Sequence, residues 1–169
     1  MLTILFDLDG TLLPMDQDVF VRDYFGHLAK KVAPFGYDPK DLPANLWKGV
    51  AAMVMNDGRC SNEEVFWNVF KKIYGKKVEE DKPVFDDFYA NEFQETAKVC
   101  GRNPKAGACV KACKAMGHRV VLATNPIFPA IATESRIRWA GLEPSDFEYY
   151  TTYENSRFSK PNLKYYEEL

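Results

Sequence analysis

The sequence predicts an α/β protein in which a parallel sheet is interrupted by a large helical insertion. Three short apolar runs, residues 2–6, 120–123 and 147–151, have the length and composition of buried strands. Segments with helical periodicity precede the second run and separate it from the third, and this order favours parallel strands joined by right-handed crossovers. More than a hundred residues separate the first two strands, whereas a whole crossover unit needs about 30.

Two helices are predicted beside these strands from their end signals. One begins near Pro129 and ends at Gly141, where a glycine commonly terminates a helix. The other has Pro104 in its first turn and Gly117 at its end. In a sheet of this kind, ligands bind outside the carboxyl ends of the strands.

The long segment between the first two strands reads as helical. Ser61 and Glu64 form a capping box at the start of one of its helices. Aromatic and aliphatic residues recur at helical spacing, so we expect Trp47, Phe66 and Trp67 to pack mainly within this helical core, although they could also close over a substrate. We predict a helical cap domain at 15–101 and a discontinuous core domain made of 1–14 and 102–169.

The composition is that of a folded globular protein, with 46% hydrophobic and 27% charged residues. Lys and Arg total 22 and Asp and Glu total 24, a net charge of −2, which argues against nucleic-acid or anionic-membrane partners and favours a small ligand. No basic leader, membrane-length apolar run or Cys-x-x-Cys pair is present, so we expect a cytoplasmic protein. The oligomeric state stays open.

Two carboxylates follow the first strand directly. Residues two apart on an extended chain point the same way, so Asp7 and Asp9 are expected to form a pair. A pair within about 4 Å repels by roughly 4 kcal/mol at an effective dielectric near 20, which favours a bound cation such as magnesium. Gly10 allows a sharp turn after the pair, and the Thr11 hydroxyl can orient a neighbouring carboxylate.

Simpler interpretations exist for each of these features. Asp-Gly is a common turn dipeptide, although a calcium loop fits poorly because Leu12 stands where that loop needs glycine. Thr124 and Asn125 close the second strand, where a hydroxyl and backbone amides could bind phosphate, yet a threonine there is often only a strand former. Lys160, just before a helix predicted to begin at Pro161, would alone be read as a solvated charge.

Taken in order, these elements resemble the haloacid dehalogenase-like (HAD) hydrolase superfamily. The most specific part is the run Asp7-Leu8-Asp9-Gly10-Thr11-Leu12, followed by a threonine after the second strand and a lysine before a later helix. The resemblance implies a Rossmann-like, three-layer parallel sheet with a helical cap of the C1 type. It also implies a phosphatase acting on a small phosphorylated metabolite. The aspartate at position 9 is similar to the residue found there in the phosphate-transferring members of the superfamily.

The resemblance assigns roles residue by residue. Asp7 would be the nucleophile that forms an aspartyl-phosphate, and Asp9 the general acid and base. The Asp7 carboxylate and the Asp9 carbonyl oxygen would hold Mg²⁺. Thr124, the Asn125 backbone and Lys160 would bind the transferred phosphoryl group.

One part of the family pattern is missing. The family completes its magnesium site with acidic residues after a fourth strand beyond the lysine helix, and the sequence has none there, since Glu167 and Glu168 fall in the presumed helix itself. We therefore expect C-terminal strands to be missing from this sequence. A phosphotransferase or phosphomutase of the same superfamily, or a non-catalytic binding module that keeps the fold, stays an alternative. Zinc or Cys-His chemistry has little support.

Overall fold

The structure is a computed structural model that describes residues 1–169. Its strands are β1 Thr3–Phe6, β2 Arg119–Leu122 and β3 Tyr149–Tyr150. Its helices are α1 Gln17–Val32, α2 Leu42–Val54, α3 Asn62–Tyr74, α4 Lys77–Ala90, α5 Pro104–Ala115, α6 Ala130–Trp139 and α7 Leu163–Glu168. Short 3-10 helices lie at Ala33–Phe35, Glu92–Val99 and Pro144–Asp146. None of the helices is both long and apolar enough to span a bilayer.

The sheet is parallel, with the strand order β1-β2-β3. Leu5 lies opposite Val121, and Leu122 lies opposite Tyr150. Because the strands are parallel, the segments that follow them meet at one rim of the sheet. β1 and β3 are the two edge strands, and at the β1 edge the Leu2 and Leu5 side chains are exposed. The predicted α/β class with a parallel sheet is confirmed.

The helices beside the sheet begin and end close to their sequence signals. Helix α6 begins directly after Pro129, and Gly141 follows its end with a φ of 78°, a left-handed conformation that suits glycine. Helix α7 begins at Leu163 and not at Pro161, so that prediction is corrected. The reason is local: Asn162 is extended, and its side chain accepts a hydrogen bond from the Lys164 amide at 3.0 Å, which caps the helix.

Helices α1 to α4 lie between β1 and β2 and are built around aromatic residues. A cluster of 14 buried apolar residues joins α1, α2, α3 and α4, while a separate cluster of 11 packs against the sheet. The predicted capping box starts α3: the Ser61 amide donates to Glu64 Oε2 at 2.9 Å, and Ser61 Oγ accepts from the Glu64 amide at 3.2 Å. The domain boundaries themselves, 15–101 for the cap and the rest for the core, stay a prediction.

A buried asparagine ties α3 to the rim of the sheet. Asn62 is fully buried, and its Nδ2 donates to the Pro126 carbonyl at 3.0 Å and to Ser159 Oγ at 3.2 Å. Its Oδ1 accepts a hydrogen bond from Asn56 Nδ2 at 2.9 Å. One side chain therefore connects the helical insertion to the two loops that follow β2 and β3.

Replacing Asn62 by Ala is expected to lower the free energy of unfolding by about 2 kcal/mol, because buried partners lose their hydrogen bonds and a cavity remains. Urea denaturation measures this change. The matched control is Asn68→Ala on the exposed side of the same helix, which should shift stability by less than about 0.5 kcal/mol. Equal losses in the two variants would show that the connection contributes nothing.

Candidate functional site

Asp7, the first residue after β1, has both carboxylate oxygens engaged. Lys160 Nζ lies 2.8 Å from Asp7 Oδ1, and Thr11 Oγ1 donates to Asp7 Oδ2 at 3.1 Å. The lysine comes from the loop between β3 and α7, 153 residues away in sequence. The Asp7 side chain nevertheless stays 40% exposed, so one face of the carboxylate is open.

The turn after β1 brings Thr11 back to Asp7. Gly10 has a φ of 76°, a backbone conformation that residues with a Cβ rarely adopt. Backbone hydrogen bonds close the turn, with the Thr11 amide donating to the Leu8 carbonyl at 3.1 Å and the Gly10 amide to the Leu13 carbonyl at 2.8 Å. The turn at Gly10 thus places Thr11 Oγ1 within hydrogen-bond distance of the Asp7 carboxylate, and the supporting roles of both residues stay a prediction.

Asp9 pairs with a residue that the sequence analysis missed. Its Oδ2 forms an ion pair with the guanidinium of Arg136, and its Oδ1 is buried with no hydrogen-bond partner. The Arg136 side chain is fully buried, donates from Nε to the Ala132 carbonyl at 3.2 Å, and lies 4.1 Å above the Phe128 ring. Arg136 therefore holds one Asp9 oxygen in place and leaves the other free for a ligand.

A weak signal for Arg136 does exist in the sequence. It lies four residues after Ala132 and next to Ile137, both of which are buried in α6. Helical spacing therefore puts a guanidinium on the apolar face of a crossover helix, where an unpaired charge would be too costly to bury. Such an arginine requires an acidic partner, and the rim of the sheet supplies Asp9.

Thr124 and Asn125 lie on the same rim, after β2. Thr124 is 1% exposed and its Oγ1 has no hydrogen-bond partner, while its carbonyl accepts from Tyr165 Oη at 2.8 Å. The Asn125 side chain accepts a hydrogen bond from the Lys160 amide at 3.2 Å. Asn125 thus connects the loop after β2 to the lysine loop through its side chain, in addition to the backbone role expected from the sequence.

A cavity of about 290 Å³ lies between this rim and the helical insertion. Asp7, Asp9, Thr124 and Asn125 all line it. Lys160 does not line it and reaches the site through Asp7.

The walls of the cavity come largely from the inserted helices. Fifteen of its 21 lining residues are hydrophobic, and they include Trp47, Phe66 and Trp67. The expectation that these three mainly pack within the helical core is corrected for Trp47, whose side chain is half exposed and contacts Phe25 at the cavity wall. Helical spacing marks an apolar face, but it does not distinguish a face packed against a helix from one that borders a cavity.

Comparison with known proteins identifies the family. The family model of the haloacid dehalogenase-like hydrolases matches residues 4–133, more than half of the 169 residues. The chain belongs to this family. The matched segment contains Asp7, Asp9 and Thr124, whereas Arg136 and Lys160 lie beyond it and are placed at the site by the structure.

Two solved structures that are similar to this HAD-like hydrolase carry the names of enzymes that act on phosphate esters. One is a phosphatase from Clostridium difficile, 18% identical, with a TM-score of 0.47, covering 98% of this chain and 67% of its own. The other is a beta-phosphoglucomutase from Thermotoga maritima, also 18% identical, with a TM-score of 0.47 and coverages of 98% and 68%. No curated protein is similar enough to count as a relative.

The residues of this HAD-like hydrolase fit a magnesium ion. The Asp7 carboxylate lines the cavity and is 40% exposed, so it offers an oxygen that a hard cation can bind, and Asp9, whose backbone carbonyl is the second expected ligand, lies on the same rim. No cluster of three or more His, Cys, Asp or Glu side chains forms in the structure. Mg²⁺ is usually bound through one or two carboxylates, with waters and substrate phosphate oxygens as its other ligands. The oxygen donors at this rim agree with that coordination preference.

Proposed function

We propose that the protein is a magnesium-dependent phosphatase that hydrolyses a small phosphate monoester through an aspartyl-phosphate at Asp7. One observation carries the proposal: the Asp7 carboxylate lines the cavity while it is held between Lys160 Nζ and Thr11 Oγ1. A carboxylate oriented in this way, beside a fixed positive charge, has the position that a nucleophile toward an anionic phosphoryl group needs.

The first chemical step would use Asp7 and Asp9 together. An Asp7 oxygen forms a bond to phosphorus in line with the ester bond that breaks, while Asp9 gives a proton to the leaving alcohol oxygen. The Asp9 oxygen suited to carry this proton is Oδ1, which faces no hydrogen-bond donor, because Oδ2 is occupied by Arg136. Arg136 thereby sets which oxygen of Asp9 is available.

The second step would return the enzyme to its starting state. Asp9 removes a proton from water, the water oxygen bonds to phosphorus, and the bond between Asp7 and phosphorus breaks to release inorganic phosphate. Lys160 would neutralise negative charge on the phosphoryl oxygens in both steps, since it already lies 2.8 Å from Asp7 Oδ1.

The free hydroxyl of Thr124 would bind the transferred phosphoryl group. Its Oγ1 is buried at the cavity and has no partner within the protein, so a phosphate oxygen would satisfy it. Asn125 would keep the adjoining backbone in position through its hydrogen bond to the Lys160 amide. When bound, Mg²⁺ would supply charge neutralisation for the acidic pair and the substrate phosphate.

Release of inorganic phosphate from p-nitrophenyl phosphate, measured with Mg²⁺ and with excess EDTA, tests the proposal. We expect turnover with Mg²⁺ and a loss of at least about 100-fold in EDTA, since the metal provides several kcal/mol of charge stabilisation. Adding an alcohol acceptor distinguishes hydrolysis from phosphotransfer, because a transferase would form a new ester in place of free phosphate. Activity that is the same with and without the metal would contradict the proposal.

A further inference from the structure

The wall of the cavity opposite the acidic rim carries no charge. Of the 21 lining residues, Asp7 and Asp9 are the charged ones, and both lie at the rim of the sheet. No lysine, arginine, histidine or glutamate borders the remaining space, which is formed by aromatic and aliphatic side chains. The part of a substrate that extends away from Asp7 therefore meets hydrocarbon and rings.

Two of the three phenol hydroxyls of this wall are hydrogen-bonded within the protein. The Tyr24 and Tyr89 hydroxyls lie 2.6 Å apart and bond to each other. Burial raises the pKa of both phenols, and of Tyr153, so all three remain neutral. The other polar groups of the wall outside the acidic rim loops are the Tyr153 hydroxyl, the Gln17 amide and the Trp67 indole Nε1–H, which is buried without a hydrogen-bond partner.

Such a wall disfavours a leaving group rich in hydroxyls. Each sugar hydroxyl that leaves water needs a new hydrogen-bond partner, and a wall with few free donors and acceptors cannot supply several. A ring without hydroxyls loses no hydrogen bonds on entry and gains contact with the faces and edges of Phe25, Trp47 and Phe128.

The size of the cavity limits the ring system. A dry apolar cavity of about 150 Å³ is large enough to hold benzene. The cavity of about 290 Å³ has roughly twice that volume, and the phosphoryl group occupies part of it beside Asp7. The remaining space suits one ring with a short linker, or two fused rings.

We propose that the substrate is a phosphate monoester of an uncharged, apolar, ring-bearing alcohol of one or two rings, and not a sugar or polyol phosphate. This inference rests on the proposed phosphatase function and narrows its substrate class. The phosphoryl group lies at the acidic rim, and the ring lies among Phe25, Trp47 and Phe128.

The test compares cyclohexylmethyl phosphate with glucose 6-phosphate. Both are esters of a primary alcohol that carries a six-membered ring, so they differ chiefly in their hydroxyl groups. An apolar site rejects even one added hydroxyl by up to about 100-fold, and we expect kcat/KM to be at least about 100-fold higher for cyclohexylmethyl phosphate. Acetyl phosphate, which has no ring, serves as the reference substrate for phosphoryl transfer.

Trp47 tests the position of the ring. Its side chain is half exposed, so Trp47→Ala should fold, and we expect the ratio of kcat/KM for cyclohexylmethyl phosphate to that for acetyl phosphate to fall at least about 10-fold. The matched control is Tyr166→Ala, which removes an exposed aromatic side chain outside the cavity and should leave the ratio within a factor of two of wild type.

Binding provides a readout without turnover. Isothermal titration of the Asp7→Asn variant should give a Kd at least about 10-fold lower for cyclohexylmethyl phosphate than for glucose 6-phosphate. A preference for glucose 6-phosphate, in turnover or in binding, would overturn the substrate class while leaving the phosphatase proposal in place. If none of the three phosphates is hydrolysed in the presence of Mg²⁺, the phosphatase proposal is overturned. In that case, equal Kd values for the two ring esters would overturn the substrate class as well.

Discussion

Asp7→Asn is expected to lower kcat for phosphate-ester hydrolysis by at least about 10⁴-fold, the scale of loss seen when an enzyme loses its nucleophile. The amide keeps the shape of the side chain and its hydrogen bond from Thr11 Oγ1, but it is a far weaker nucleophile toward phosphorus. Phosphate release under saturating Mg²⁺ measures the change. Acid quenching during turnover should trap a phosphorylated chain in the wild type and none in Asp7→Asn.

Stability provides the control for this variant. The ion pair between Asp7 and Lys160 is partly exposed, so its loss should change the free energy of unfolding by no more than about 1 kcal/mol. The matched variant Asp86→Asn replaces an exposed aspartate of α4 and should retain wild-type turnover. If Asp7→Asn were folded and kept more than a tenth of the wild-type kcat, another group would have to be the nucleophile.

Local signals in the sequence predicted those helix ends and strands that depend only on neighbouring residues. The Ser61 capping box, the glycine after α6 and the apolar strand runs act within a few residues, and the structure has all of them close to the expected positions. The two aspartates could also be placed, because the end of a parallel strand fixes which rim they occupy. The roles of these residues remain predictions.

Features that depend on distant parts of the chain were harder to predict. Arg136 meets Asp9 across 127 residues, and this pairing depends on how α6 packs beside the sheet. Trp47 is half exposed because its side chain borders the cavity between the inserted helices and the rim of the sheet. Periodicity reveals which side of a helix is apolar, but tertiary packing decides what that side contacts.

Arg136→Met is the variant with the largest expected effect on stability, a loss of about 3 kcal/mol in the free energy of unfolding. Methionine roughly fills the space but removes the partner of Asp9 Oδ2, so neither Asp9 oxygen would have a protein partner beside the sheet. The variant also loses the stacking of the guanidinium 4.1 Å above the Phe128 ring. Urea denaturation measures the loss, and Arg138→Met, a half-exposed arginine of the same helix, should cost less than about 0.5 kcal/mol.

A double-mutant cycle separates the ion pair from the packing. If the cost of Arg136→Met comes from an unpaired Asp9 carboxylate, combining it with Asp9→Asn should recover at least about 1 kcal/mol, because the amide carries no charge to leave unpaired. Additive losses would instead assign the cost to packing against Phe128.

The same arginine variant also tests the catalytic role of Asp9, because Arg136 holds Asp9 Oδ2 and leaves Oδ1 free. With Asp9 no longer oriented, kcat for Arg136→Met should fall by about 100-fold, the cost of a misplaced catalytic group, while KM changes little.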